Sequence, residues 1–254
     1  MLFPIIGTCV LASPGGQRGF FQAWYGATFS AVAGPTDYLH FWNPASLDET
    51  DQGPGGNDAD SVNFDPDSAD GWNMGTDNSK YVLLDGPITN GTSYTITAWI
   101  KPDITAMNAN ANGGWIVSDR TQSGSTRDFQ FMYRTDLTPD QYRLNVWNSS
   151  GTALSEINTN VFDNVWQHLA AVVDSNAGTL EIFVNGVSDG SSSLTTTPND
   201  TYSGQATIGA SSWDPDINAG AKYHGSIGKV RFYQRALTQQ EILDEIAADG
   251  NSGP

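Results

Sequence analysis

The sequence predicts an all-β antiparallel sandwich closed by one short helix near the C-terminus. Three observations point there. The run 168–173 is apolar or small on both faces, as in a strand buried on both sides. Leu180, Ile182 and Val184 then alternate with Glu181, Phe183 and Asn185, the period of a strand with one face in a core. Turn chemistry follows each run. Ser175-Asn176-Ala177-Gly178 combines residues that tolerate positive φ with side chains that bond their own backbone, and Asn185-Gly186 is the strongest two-residue hairpin signal. Residues 163–186 are therefore expected to form an antiparallel hairpin leading into a second tight turn, with Trp166 as a buried anchor at its start.

Composition sets the class. A length of 254 residues allows one large β domain or two small ones. The 27 glycines and eight tryptophans suit short strands joined by turns. Charged residues are only 15%, yet 28 carboxylates against 11 Lys plus Arg give a net charge of −17. Such a chain repels nucleic acid and anionic membrane at long range and attracts divalent cations. The lone cysteine, Cys9, excludes an internal disulfide framework. No stretch approaches the roughly 20 apolar residues of a membrane span.

Taken in order, residues 1–35 form an apolar, Gly- and aromatic-rich N-terminal arm, and residues 36–254 form the β domain. Phe20, Phe21, Trp24, Tyr25 and Phe29 fall within one short stretch, and Arg18 is the only charged residue before Gly34. A segment this apolar calls for a partner surface, so these aromatics are candidate anchors for self-association or docking on other structural proteins. The alternatives are a strand and plug for the domain's own core, or an export signal built on residues 2–12. Against the signal, no Lys or Arg precedes the run and Pro4 interrupts it.

Residues 38–42 read as the first strand of the β domain. The acidic Gly/Pro-rich stretch 48–70 reads as loop, 81–84 as a short strand and Asn90-Gly91-Thr92 as a turn. In 94–101, Tyr94, Ile96, Ala98 and Ile100 share one face and Thr95, Thr97, Trp99 and Lys101 the other. The low-complexity stretch 106–114 is an expected loop tip. Strands follow at 115–118, 129–134 and 142–147. Near the end, Thr238-Gln-Gln-Glu241 is a capping box, Leu237 and Ile242 are placed as a hydrophobic staple, and Asp249-Gly250 ends the helix. A helix this short is expected to lie against the sheet.

Several segments carry a resemblance. Trp166, His168, Ala170 and Val172 in W-x-H-x-A-x-V, followed by L-x-I-F-V-N-G, resemble the signature of LamG-like domains, the concanavalin A-like or pentraxin-like jelly rolls. Residues 94–103 (YTITAWIKPD), 206–211 (ATIGAS), 223–242 and the opening 39–53 are similar to further family segments, in the family's order, over about 36–249. The resemblance implies a jelly-roll sandwich and leaves function open, because this fold hosts many activities.

Jelly-roll glucanases place E-x-D-x-x-E on one strand, where two carboxylates serve as acid and nucleophile. The five glutamates here, Glu49, Glu156, Glu181, Glu241 and Glu245, offer no such spacing on a strand, and the lyase motifs of the fold are absent too. His168 and His224 occupy positions that the family pattern fills, which implies packing. No Gly-x-Ser-x-Gly elbow supports a Ser-His-Asp set. The expectation is a protein that is not an enzyme.

Two binding sites are candidates. Ca²⁺ takes six to eight oxygen ligands, and Asp58, Asp60, Asp65, Asp67 and Asp70 supply carboxylates around the turning Gly71, with Asp77 and Asn78 near where relatives hold calcium. Gly228 and Lys229 stand where the family usually carries acidic residues, which removes ligands they would supply. Trp213, Asp214 and Asp216 with Tyr223 compose a possible sugar platform, an aromatic face beside carboxylates; Trp147 and Tyr202 are further stacking candidates. Acidity, the missing disulfides and the apolar arm suggest a virion surface subunit, such as a head-decoration or tail-associated protein. The alternative is a secreted or cell-surface carbohydrate-binding or adhesion module with a glycan partner, followed by a hydrolase or lyase of the same fold.

Overall fold

The computed structural model describes residues 33–47, 49–67, 69–76, 79–88, 91–109, 113–120, 127–134, 141–148, 150, 153–159, 162–195, 197–200, 204–211 and 222–253. Residues 1–32 of the expected arm, with Phe20, Phe21, Trp24, Tyr25 and Phe29 among them, lie outside the described residues. Among the described residues, two seven-stranded antiparallel sheets form a sandwich.

The first sheet joins β1 (His40–Trp42), β14 (Gly225–Tyr233), β5 (Tyr94–Pro102), β10 (Gln167–Asp174), β11 (Thr179–Val184) and β12 (Val187–Ser193) in that order, with β3 (Trp72–Gly75) also on β14. The second runs β2 (Ala59–Val62), β4 (Tyr81–Leu84), β13 (Thr207–Ile208), β6 (Gly114–Arg120), β7 (Arg127–Arg134), β8 (Gln141–Trp147), β9 (Ala153–Thr159). The jelly-roll expectation holds.

The period-2 pattern of β5 fixes two cores. Tyr94, Ile96, Ala98 and Ile100 enter the cluster between the sheets, with Leu169, Ala171 and Val173 of β10 and Phe129, Phe131 and Tyr133 of β7. Trp99 enters a second cluster on the outer face of the first sheet, with Ala170, Val172, Phe183, Tyr233, Leu237, Ile242 and Ile246. That outer face is covered by α2 (Gln239–Ala248), whose capping box and buried Leu237 and Ile242 follow the expected staple. The central strands are thus buried on both faces, which explains the unbroken apolar run at 168–173.

Three expectations change. The 48–70 loop contains β2, paired on one side only with β4; its alternation is weak because it is an edge strand in which only Ala59 is buried. The 106–114 loop begins inside α1 (Ile104–Asn108), a single turn capped where the Asp103 carboxylate accepts from the Ala106 N–H. Trp166 is only partly buried and packs against the outer cluster, so it is not a core anchor.

The β11–β12 turn depends on positive φ at Asn185 (51°) and Gly186 (76°). A Cβ at Gly186 would stand 2.4 Å from Leu243 Cδ2. Gly186→Ala is expected to destabilise the domain by about 1–2 kcal/mol, through strain at αL and displacement of Leu243. An unchanged urea midpoint would show that turn and helix are not coupled.

Candidate functional site

Two constellations stand out at the first sheet, one under the helix and one beside the β11–β12 turn. One is closed. Glu245 points from α2 into the sheet, where its Oε1 accepts from Thr97 Oγ1 at 2.6 Å, His168 Nε2 at 3.0 Å and Arg231 Nη1 at 3.1 Å, and its Oε2 from Tyr233 Oη at 2.5 Å. Arg231 also forks onto Asp249, at 2.9 and 2.7 Å, and Asp249 accepts from Trp99 Nε1 at 2.8 Å. Lys229 adds an ion pair to Asp249 at 3.5 Å, giving a structural use to a position where family members carry an acid.

Burial alone would raise the Glu245 pKa. The hydrogen bond from His168 and the Arg231 charge outweigh it and hold the carboxyl at about 2. Burial and the neighbouring Glu245 carboxylate push the Tyr233 phenol far up, so it stays a donor. Each carboxylate oxygen of Glu245 and Asp249 has a donor, and the four side chains around Glu245 are buried. The arrangement locks helix to sheet.

The other constellation is open. A cleft of about 280 Å³ is lined by Phe162, Val184, Asn185, Val187 and Asp189. Phe162 is 51% and Val187 63% exposed. The loop presenting Phe162 is tied down at several points. Gln167 Nε2 donates to the Phe162 carbonyl at 2.7 Å, the Asn164 N–H to the Pro102 carbonyl at 2.8 Å, and the Ile104 N–H to the Asp163 carboxylate at 2.9 Å. On the facing hairpin, Asn185 Oδ1 accepts from the His168 N–H at 2.9 Å. That bond fixes the amide orientation, and Nδ2 makes no hydrogen bond among the described residues. An aromatic face, an oriented amide donor and the Asp189 carboxylate so border one cleft. Sequence reasoning missed Phe162, which sits in a stretch with no strand periodicity.

The described residues among the sequence-predicted sites do not line this cleft. Trp213, Asp214 and Asp216, like Tyr202, fall outside the described residues. Tyr223 is fully buried between the sheets, so its ring offers no surface for stacking, and Trp147 is 5% exposed. Asp77 and Asn78 also fall outside the described residues. Asp58 accepts from the Asp51 N–H, Asp67 from the Ala69 and Asp70 N–H groups, and Asp70 lies 3.7 Å from Lys101. Asp60 and Asp65 are exposed. Among the described residues no three acidic, histidine or cysteine side chains gather into a metal site.

The described glutamate side chains have local partners. Glu49 accepts from the Ser61 N–H, Glu181 from the Ser188 hydroxyl, and Glu241 closes the capping box and pairs with Arg235 at 2.8 Å.

Residues 75–243 match the Concanavalin A-like lectin/glucanases superfamily. The match covers more than half of the sequence, and the chain belongs to that superfamily. No curated protein matches by sequence. Among solved structures, domain 4 of a GH43 extracellular arabinanase from Geobacillus stearothermophilus, in complex with arabinotriose, superposes with TM-score 0.56 at 16% identity, over 82% of this chain and 97% of its own. The binding domain of botulinum neurotoxin serotype D gives TM-score 0.60 at 10% identity over 84% of this chain. The serotype D ligand-binding domain in complex with N-acetylneuraminic acid gives 0.57 at 9% identity, also over 84%. This chain spans about half the length of the neurotoxin domains, 52% and 51%. At these identities the likeness shows the fold.

Proposed function

We propose that this superfamily member is a non-catalytic carbohydrate-recognition domain, working outside the cell or at its surface, and that the Phe162 cleft takes a sugar ring. The observation that carries the proposal is the pairing, in one open cleft, of a half-exposed aromatic face with an amide whose orientation the backbone fixes. A pyranose or furanose presents an apolar C–H face and a rim of hydroxyls. Phe162 and Val187 suit the first; Asn185 and Asp189 suit the second.

The arabinanase domain supports this reading, since it matches over nearly its whole length and is described with a bound arabinose oligomer. The virion-subunit reading draws its support from acidity, the missing disulfides and the arm, whose residues 1–32 lie outside the described part, and the comparisons favour carbohydrate recognition over it.

Glycan arrays and calorimetry of the full chain, with arabinotriose as the first ligand, test the proposal. Binding is expected in the micromolar to millimolar range. Phe162→Ala is expected to weaken it at least about tenfold, the loss of one aromatic stacking contact in a small site, while the melting temperature stays put. A chain that binds no glycan on the array would sink the reading. Undiminished binding by Phe162→Ala would move the site elsewhere.

A further inference from the structure

The charge of the Phe162 cleft comes from a break in strand pairing. Leaving the β11–β12 turn, Val187 stands opposite Val184 and Ser188 opposite Phe183, but Gly190 rather than Asp189 stands opposite Ile182. Asp189 is the extra residue of a β-bulge, with no partner across on β11. A bulge takes one side chain out of the strand's alternation, and bulges gather beside binding sites because they re-aim a side chain. Here the re-aimed group is the Asp189 carboxylate, which joins Phe162, Val187 and Asn185 in the cleft wall.

The surroundings carry the same sign. Asp163, next to Phe162, is exposed, and its carboxylate accepts from the Ile104 N–H at 2.9 Å. Glu181 accepts from the hydroxyl of Ser188, the residue before Asp189. The lysines and arginines of β5, β14 and the segment after β14 are matched within the protein. Lys101 lies 3.7 Å from Asp70 and Lys229 3.5 Å from Asp249, Arg231 holds Glu245 and Asp249, and Arg235 pairs with Asp37 at 2.6 Å. No Lys, Arg or His among the described residues lines the cleft.

A sugar carboxylate entering this cleft loses water and meets a like charge, and that repulsion grows as the contact dries. A sugar hydroxyl fits the other way. It donates to the Asp189 carboxylate in a charge-assisted bond, while the oriented Asn185 amide donates to a neighbouring sugar oxygen.

We propose that Asp189 determines the specificity of this cleft, admitting sugars with a rim of hydroxyls and excluding those that carry a carboxylate, such as uronic and sialic acids. The inference rests on the carbohydrate reading of the Phe162 cleft and narrows it to neutral glycans.

The test compares one glycan with its own acid. The strongest neutral binder on a glycan array is titrated into the full chain beside a derivative in which a primary hydroxyl has been oxidised to a carboxylate. The methyl glycoside of arabinotriose is the first such pair. The acid is expected to bind at least about tenfold more weakly than the neutral form. Asp189→Asn keeps the size and one acceptor oxygen but removes the charge, and is expected to narrow that gap at least about fivefold by improving the acid. Asp85→Asn serves as the control for net charge. Asp85 is exposed in the turn after β4, at the sandwich margin opposite β12, and its substitution is expected to leave the gap unchanged. Equal binding of acid and neutral form by the parent would overturn the inference while leaving the carbohydrate reading in place. So would a gap that Asp189→Asn does not move, or one that Asp85→Asn narrows as much, since the discrimination would then belong to the acidic surface at large. A chain that binds no glycan removes the reading and this inference together.

Discussion

Glu245→Ala is expected to cost about 3–5 kcal/mol, because removing one partner from a buried charge network strands the others. Arg231, 8% exposed, would keep Asp249 but lose its second anion, while Thr97, His168 and Tyr233 would each lose the acceptor they share. Glu245→Gln keeps the shape and one acceptor oxygen and should cost less. Glu241→Gln, on the exposed side of the same helix, should cost no more than about 1 kcal/mol, in line with a cap and a surface pair. Urea unfolding of the three variants checks the order. Equal losses for the Glu245 and Glu241 variants would show that the network does not hold the helix down.

The same carboxylate sets an acid limit. Its folded-state pKa is depressed to about 2, below the ordinary glutamate value. Its contribution is therefore fully present above the unfolded pKa and is lost as pH falls from about 4.5 through about 2, a loss on the order of 3 kcal/mol. Stability measured between pH 5 and pH 2.5 should fall more steeply for the parent than for Glu245→Gln. Parallel slopes would contradict the assignment.

Period and capping were legible because each is written in neighbouring residues. The faces of β5, the double burial of β10, the Asn185-Gly186 turn and the helix start all follow from spacings of two to four residues. Glu245 was readable in part. Ile242, Glu245 and Ile246 are spaced i, i+3, i+4, so the glutamate lies on the helix's apolar stripe rather than its wet face. Its partners were not readable, since Thr97, His168 and Arg231 come from three strands distant in sequence. The Phe162 cleft depends on how the 162–166 loop faces the β11–β12 turn, and the hydrogen-bonded His40–Asp51 pair closes across a Gly/Pro loop whose path no periodicity sets. Tyr223 was misread because an aromatic beside a polar loop looks the same whether it points out or in.

The anchoring role expected of Trp166 passes to Trp42. Trp42 is fully buried between the sheets, stacks on His40, and donates its Nε1–H to the Asn57 carbonyl at 2.7 Å. It thus joins β1 to the loop that leads into β2, across the end of the sandwich. Trp42→Ala removes a large core side chain and leaves a cavity the surrounding strands cannot close, an expected loss of about 3–5 kcal/mol. Trp42→Phe restores most of the apolar volume but leaves the Asn57 carbonyl without its donor, an expected loss of about 1–3 kcal/mol. Trp166→Ala should cost less than Trp42→Ala, because the Trp166 ring is partly in water and its loss uncovers the outer cluster without hollowing the inner one. The measurement is the urea midpoint at constant slope for the three variants. A Trp166→Ala loss as large as that of Trp42→Ala would place the main anchor of the fold on the outer face of the first sheet, under the C-terminal helix.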